Sequence, residues 1–161
     1  MKSFFSILFF LSFHANQDFA EIRKTFPNAS SSIIAAKEFN SKFCDVTNDN
    51  NKTLVAYKGA SIIIISKFEK KLSDKMKGVK QGIKLIEFAI GAESSNIEIH
   101  LIRLSIQENL PKIAKYNKNK KEDKIFLLSH YKEQPNSLKE YVKSFILQSK
   151  SFSEQEKQAL N

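Results

Sequence analysis

The chain has 161 residues, 26 lysines and arginines against 17 acids, and a formal charge of +9. That length suits one domain with a core that needs no staples. One cysteine excludes an internal disulfide framework. Four glycines and three prolines argue against a many-stranded, turn-rich sandwich. The basic balance gives non-specific attraction to anionic partners and by itself defines no site.

The first twenty residues read MKSFFSILFFLSFHANQDFA. A positive start at Lys2 is followed by an apolar run over 3–13, too short for a membrane-spanning helix and fitting a secretory signal peptide. The expected leader is 1–15, with cleavage between 15 and 20, ahead of a single helical domain over 18–161. The expected location is therefore periplasmic or secreted, with no transmembrane span in the mature chain. Cys44 lies too far from the cleavage point to carry a lipid anchor, and a lone thiol of this kind is expected to be buried.

Helices are expected throughout. DFAEIRKTF (18–26) is short and amphipathic and stops at Pro27. SSSIIAAKEFNSKF (30–43) sets Ile33, Ala36, Phe39 and Phe43 along one side. DVTNDNNK (45–52) is a polar loop. TLVAYKGASIIIISKF (53–68) carries four consecutive isoleucines with strand propensity. Its apolar run is nonetheless long enough to favour a buried helix, so 61–66 stay open between the two. Gly59 and Ala60 in its middle permit close approach of a neighbouring backbone. SDKMKGVKQGIKLIEFAIGA (73–92) starts at Ser73 as a candidate N-cap and sets Val79, Ile83, Ile86 and Ile90 on one stripe.

NIEIHLIRLSIQENLP (96–111) is preceded by Ser95, which has capping-box spacing to Glu98. Ile97, Leu101 and Leu104 fall on one side of the helix, and Ile99, Ile102, Ile106 and Leu110 roughly opposite. Two apolar faces imply neighbours on both sides. Alternation over 97–102 keeps a strand reading open. The lysine-rich PKIAKYNKNKKEDK (111–124) has a short helical start, and 121–133 opens acidic and turns apolar, as a helix does. Ser137 with Glu140, and Ser153 with Glu156, have capping-box spacing for two closing helices. The expected fold is all-α: a bundle or short solenoid of stacked helical hairpins, with about seven to nine helices.

No catalytic constellation emerges. His14 lies in the leader. Glu98 sits two residues from His100, which a helix points to a different side. His130 falls at a helix end, where a cation near the terminal carbonyls has an ordinary role. Neither a zinc-ligand spacing nor a nucleotide loop occurs. No catalytic, metal or cofactor residue is therefore assigned, and no cofactor is expected. Arg103 and Glu108 are expected to form salt bridges to neighbouring helices. Tyr57, His100 and Arg103 are kept as candidate groove residues. Each of the stretches 66–80 and 111–124 holds six lysines and no arginine. Lysine is a point charge with little bidentate readout, so sequence-specific nucleic-acid recognition is not expected. Lys115, Lys118, Lys120 and Lys121 are the candidate contacts to an anionic lipid or polysaccharide.

Residues 82–98, GIKLIEFAIGAESSNIE, resemble the second helix and exit turn of a tetratricopeptide repeat. Gly82, Ile86 and Ala89 take the small–large–alanine places, Asn96 fits the turn, and Ser94 stands where proline is usual. Tyr57, Gly59 and Ala60 resemble the crossing on the first helix, but the Gly59–Gly82 separation requires longer helices than the repeat has. NIEIHLIRLSIQENLP, YNKNKKEDK and SFSEQEKQAL together resemble an uncharacterised exported helical family of Bacteroidetes-type bacteria. That resemblance implies export from a Gram-negative cell and a mostly helical fold, and it carries over no catalytic residue. The expected function is protein or peptide binding by a non-enzymatic module. The alternatives are a weak anionic-surface binder, or a hydrolase with its site on the 96–110 helix.

Overall fold

The computed structural model describes residues 19–160. The expected leader, with His14, lies outside the described residues. Eight α-helices form, and no strand forms among the described residues. They are α1 (Phe19–Thr25), α2 (Ile33–Ser41), α3 (Lys52–Ser66), α4 (Leu72–Ala92), α5 (Ile97–Asn109), α6 (Lys120–His130), α7 (Asn136–Gln148) and α8 (Glu154–Gln158). Short 3-10 turns follow α1 and α6, and another, Lys112–Ala114, precedes α6. Both open strand readings resolve as helix, because the runs are long and apolar all round rather than alternating.

α3 and α4 form the frame, an antiparallel hairpin with the largest interface between any two helices. The reason is steric. A Cβ placed on Gly59 would lie 2.6 Å from the Gly82 carbonyl oxygen, and one on Gly78 would lie 2.5 Å from Ser66 Cβ. Glycines at these crossings let the two backbones touch. α5 then lies against the hairpin, with α6 and α7 on its other sides. Its two apolar faces are both covered: Ile97, Ile99, Leu101, Ile102, Leu104 and Ile106 are each buried. Ten of its thirteen residues are buried, which makes it the central helix. Phe26, Phe39, Phe43 and Tyr57 form an aromatic cluster where α1 and α2 pack on α3, with Phe43 and Tyr57 stacked at 6.1 Å.

Some local expectations need correction. Asn96, not Ser95, caps α5, accepting from the amides of Glu98 and Ile99. This frees the Glu98 carboxylate for a distant partner. α4 begins one residue before Ser73, at Leu72, without a side-chain cap. α7 begins after Pro135, which takes the N-cap position itself and has no side-chain acceptor to offer, so Ser137 and Glu140 lie inside the helix. Ser153 and Glu156 do form the reciprocal capping box. Ile33, expected on the inner side, is 40% exposed at the first residue of α2. Cys44 is exposed, not buried. Phe43 takes the core position in that turn and directs its sequence neighbour outward.

Candidate functional site

α5 also carries buried polar residues, His100, Arg103 and Gln107 on one side and Glu98 on the other. Glu98, His100, Arg103 and Gln107 are all buried. A buried charge is tolerated when it is paired and hydrogen-bonded, and two separate clusters supply the partners. In the first, Glu98 takes a two-pronged contact from Arg23 of α1, at 2.9 Å from Nε and 2.6 Å from Nη2. The Tyr57 hydroxyl donates to the same carboxylate at 2.7 Å, and the Tyr141 hydroxyl lies 3.3 Å further on. Glu98 therefore ties α1, α3 and α7 to the start of α5.

The second cluster centres on Asp123 of α6, which is wholly buried. Arg103 donates to it twice, from Nε at 2.8 Å and Nη2 at 2.6 Å, in the fork geometry that suits guanidinium and carboxylate. His100 Nδ1 lies 2.7 Å from the same carboxylate, and its Nε2 lies 2.8 Å from the Ser94 carbonyl oxygen. Arg103 also reaches Glu87 of α4 and Glu122, each at 3.4 Å, and the Tyr116 hydroxyl bonds to Glu87. Phe126 is stacked between the rings of His100 and His130, at 4.0 and 4.2 Å. Interhelical pairing is thus the role of Arg103. Glu108 accepts instead from the Ser149 hydroxyl and the Ser151 amide.

These clusters have the composition of an acid–base site, but only the edge of the first, Arg23 and Tyr141, reaches an open cleft. Tyr57 has 0% exposure, and His100 and Arg103 have 3% each. None of the three lines any of three surface clefts, those between α1, α5 and α7, at the α3–α4 turn, and between α1 and α2. Glu98 belongs to a different cluster from His100 and Arg103. Among the described residues, no three histidine, cysteine or acidic side chains are gathered as a metal site. The clusters fix how the helices pack around α5.

The tyrosines report on this. Burial, then the nearby Tyr141 and Glu98, push the Tyr57 hydroxyl well above its usual range. Burial and the Glu87 carboxylate raise Tyr116. Burial is also the main cause that raises Tyr141. A phenol whose folded pKa is raised binds its proton more tightly in the native state. The stability this gives is complete below the unfolded value of about 10 and is lost as pH rises above it. Stability is expected to hold to about pH 10, then to fall by up to about 1.4 kcal/mol per pH unit for each of the three tyrosines. Phenolate absorbance should lag that of the urea-unfolded chain, and coincident curves would show the tyrosines to be solvated.

Open surface is found elsewhere. A polar cleft of about 410 Å³ lies between α1, α5 and α7, with Arg23, Lys24, Glu108 and Lys150 in its wall. An apolar cleft of about 300 Å³ lies where the end of α3, the start of α4, the end of α5 and the turn Lys112–Ala114 meet. Ile63, Ile64, Met76, Val79, Ile106 and Leu110 form its walls. Leu72 and Ile113 also line it and are 63% and 64% exposed. Sequence reasoning missed this cleft, although a signal was present. Leu72 and Met76 extend the stripe of Val79, Ile83, Ile86 and Ile90 backwards at helical spacing. The stripe therefore runs past what α3 can cover.

The candidate contacts Lys115, Lys118 and Lys121 are exposed, while Lys120 is half-buried at the start of α6. Lys115 is the only described non-glycine residue with positive φ, at 51°. Among the described residues, no helix is long and apolar enough to cross a membrane. Comparison with known proteins adds no assignment: no family model, curated protein or solved structure matches the chain.

Proposed function

We propose that the chain is an exported, non-enzymatic helical module that acts by binding another protein. The apolar cleft at the α3–α4 turn is the observation that carries this reading. Leu72 and Ile113 line this apolar cleft and still leave much of their surface in water, and exposed apolar surface gathered at a groove marks interaction sites. The side chains best suited to acid–base chemistry are meanwhile engaged in buried clusters. The α3–α4 hairpin, with its crossing at Gly59 and Gly82, supports the proposed kinship with tetratricopeptide-like hairpins, which bind peptides in grooves. Export rests on the apolar leader, and mass spectrometry of the mature N-terminus in the native host tests it.

The test of binding is capture from a native envelope extract by the wild type and by Leu72→Ser with Ile113→Ser. Both positions are exposed, so stability should change by less than about 0.5 kcal/mol per site. A partner that saturates the wild type and is lost with the variant is the expected result. Turnover of a screened substrate by a protein that captures nothing would refute the reading.

A further inference from the structure

We infer that the occupant of the apolar cleft is an amphipathic helix bearing acidic residues beside its apolar stripe. This inference rests on the proposed binding function and deepens it. Its basis is the place where the two lysine runs meet. The run 66–80 contributes Lys67 and Lys75 to the lining, and the run 111–124 contributes Ile113 and Ala114. Lys71, Lys112 and Lys115 are exposed and directly adjoin the lining residues Leu72, Ile113 and Ala114 in the chain, and Lys70 is exposed two residues before Leu72. No carboxylate belongs to the lining. Glu69 and Asp74 are exposed nearby, but two acids do not offset six lysines in that run. Of the acids in the second run, Asp123 is neutralised by Arg103. The result is an apolar trough with a cationic rim.

Shape selects among anionic partners. At about 300 Å³ the trough is at the small end of ligand pockets, which span roughly 300–1,000 Å³. Leu72 and Ile113 line it and are still 63% and 64% exposed, so an occupant that covers them reaches beyond the trough. A helix does this by setting anchors at i, i+4 and i+7 into the trough, with acidic residues on its flanks toward the lysines. A lipid surface is flat at this scale and would leave the concave walls formed by Met76, Val79 and Ile106 unfilled.

Fluorescence anisotropy with three labelled peptides of about 18 residues, or five helical turns, tests the inference. One sets leucines at helical spacing among glutamates, the second replaces the glutamates by lysines, and the third scrambles the first. Vesicles of anionic phospholipid form a fourth arm. The wild type should bind the acidic peptide at least tenfold more tightly than the other two. Leu72→Ser with Ile113→Ser, and separately Lys67→Glu with Lys75→Glu, should each weaken that binding at least tenfold, and the lysine pair should also reduce its salt dependence. Equal binding of acidic and basic peptides, or no peptide binding at all, overturns the inference. So does vesicle binding that depends on the same four residues without peptide binding. A native partner that requires Leu72 and Ile113 but not the lysines would refute the acidic helix and leave the binding function standing.

Discussion

Asp123→Ala is expected to cost about 3–5 kcal/mol of folding stability, because it leaves Arg103 buried without its main partner. Asp123 has no exposed surface, and Arg103 keeps 3%, so water cannot replace the lost contacts. The loss extends beyond one bond. His100 Nδ1 also faces the missing carboxylate, and the α5–α6 interface turns on this point. A compensated pair should behave differently. Asp123→Leu combined with Arg103→Met removes both charges and restores apolar contact, and such replacements are often near neutral. Urea unfolding of the two singles and the double should therefore show strong non-additivity, with the double far less damaged than the sum. A single-variant cost below about 1 kcal/mol would mean that α6 is held by its apolar contacts alone.

Gly82→Ala and Gly91→Ala should shift stability in opposite directions, although both lie in α4. Alanine is favoured over glycine inside a helix by about 1 kcal/mol. At Gly91 nothing lies within 4 Å of an added Cβ, so that gain should appear almost undiminished. At Gly82 the added Cβ would meet the Gly59 carbonyl oxygen and lie 2.5 Å from Ile63 Cγ1. One of those is backbone, so the helices must move apart. Overpacking of this kind costs typically about 1–3 kcal/mol, and here the hairpin's whole crossing is displaced, which places Gly82→Ala at the upper end. A net loss near 2 kcal/mol would lower the melting temperature by about 4–8 °C for a chain of this size. A stabilised Gly82→Ala would show that the helices do not touch at this point.

The sequence made the helices legible through period and length. The stripes of α4 and α5 are long, and their residues sit where a 3.6-residue period sends them. The same reasoning recognised that α5 has neighbours on both sides. The partners of the buried polar residues on α5 were less legible for a physical reason. Glu98 finds Arg23 at a separation of 75 residues and Asp123 finds Arg103 at 20, and no local pattern encodes such pairings. Asp123 reads as a favourable acid in a helix first turn, yet it is the hub of the second cluster. Capping was legible only where the chain offers one candidate, as at Ser153. At Ser95 a better cap follows immediately in Asn96. Cys44 and Phe43 compete for one inward position, and the larger apolar side chain takes it. As for the cleft, the lysines of the second run read as contacts to an anionic surface, and only the tertiary fold places residues of both runs in the lining of one apolar trough.

The central claim is that binding occurs at the cleft while the buried clusters hold the helices in place. Amide hydrogen exchange of the protein, free and saturated with its native partner, tests this most directly. Residues 63–79 and 106–114 contribute the walls and lips of the cleft, and added protection is predicted there. Exchange around Ser94, His100 and Asp123 should be slow in both states and change little. Protection confined to α6 and the start of α5, with the cleft unaffected, would contradict the account.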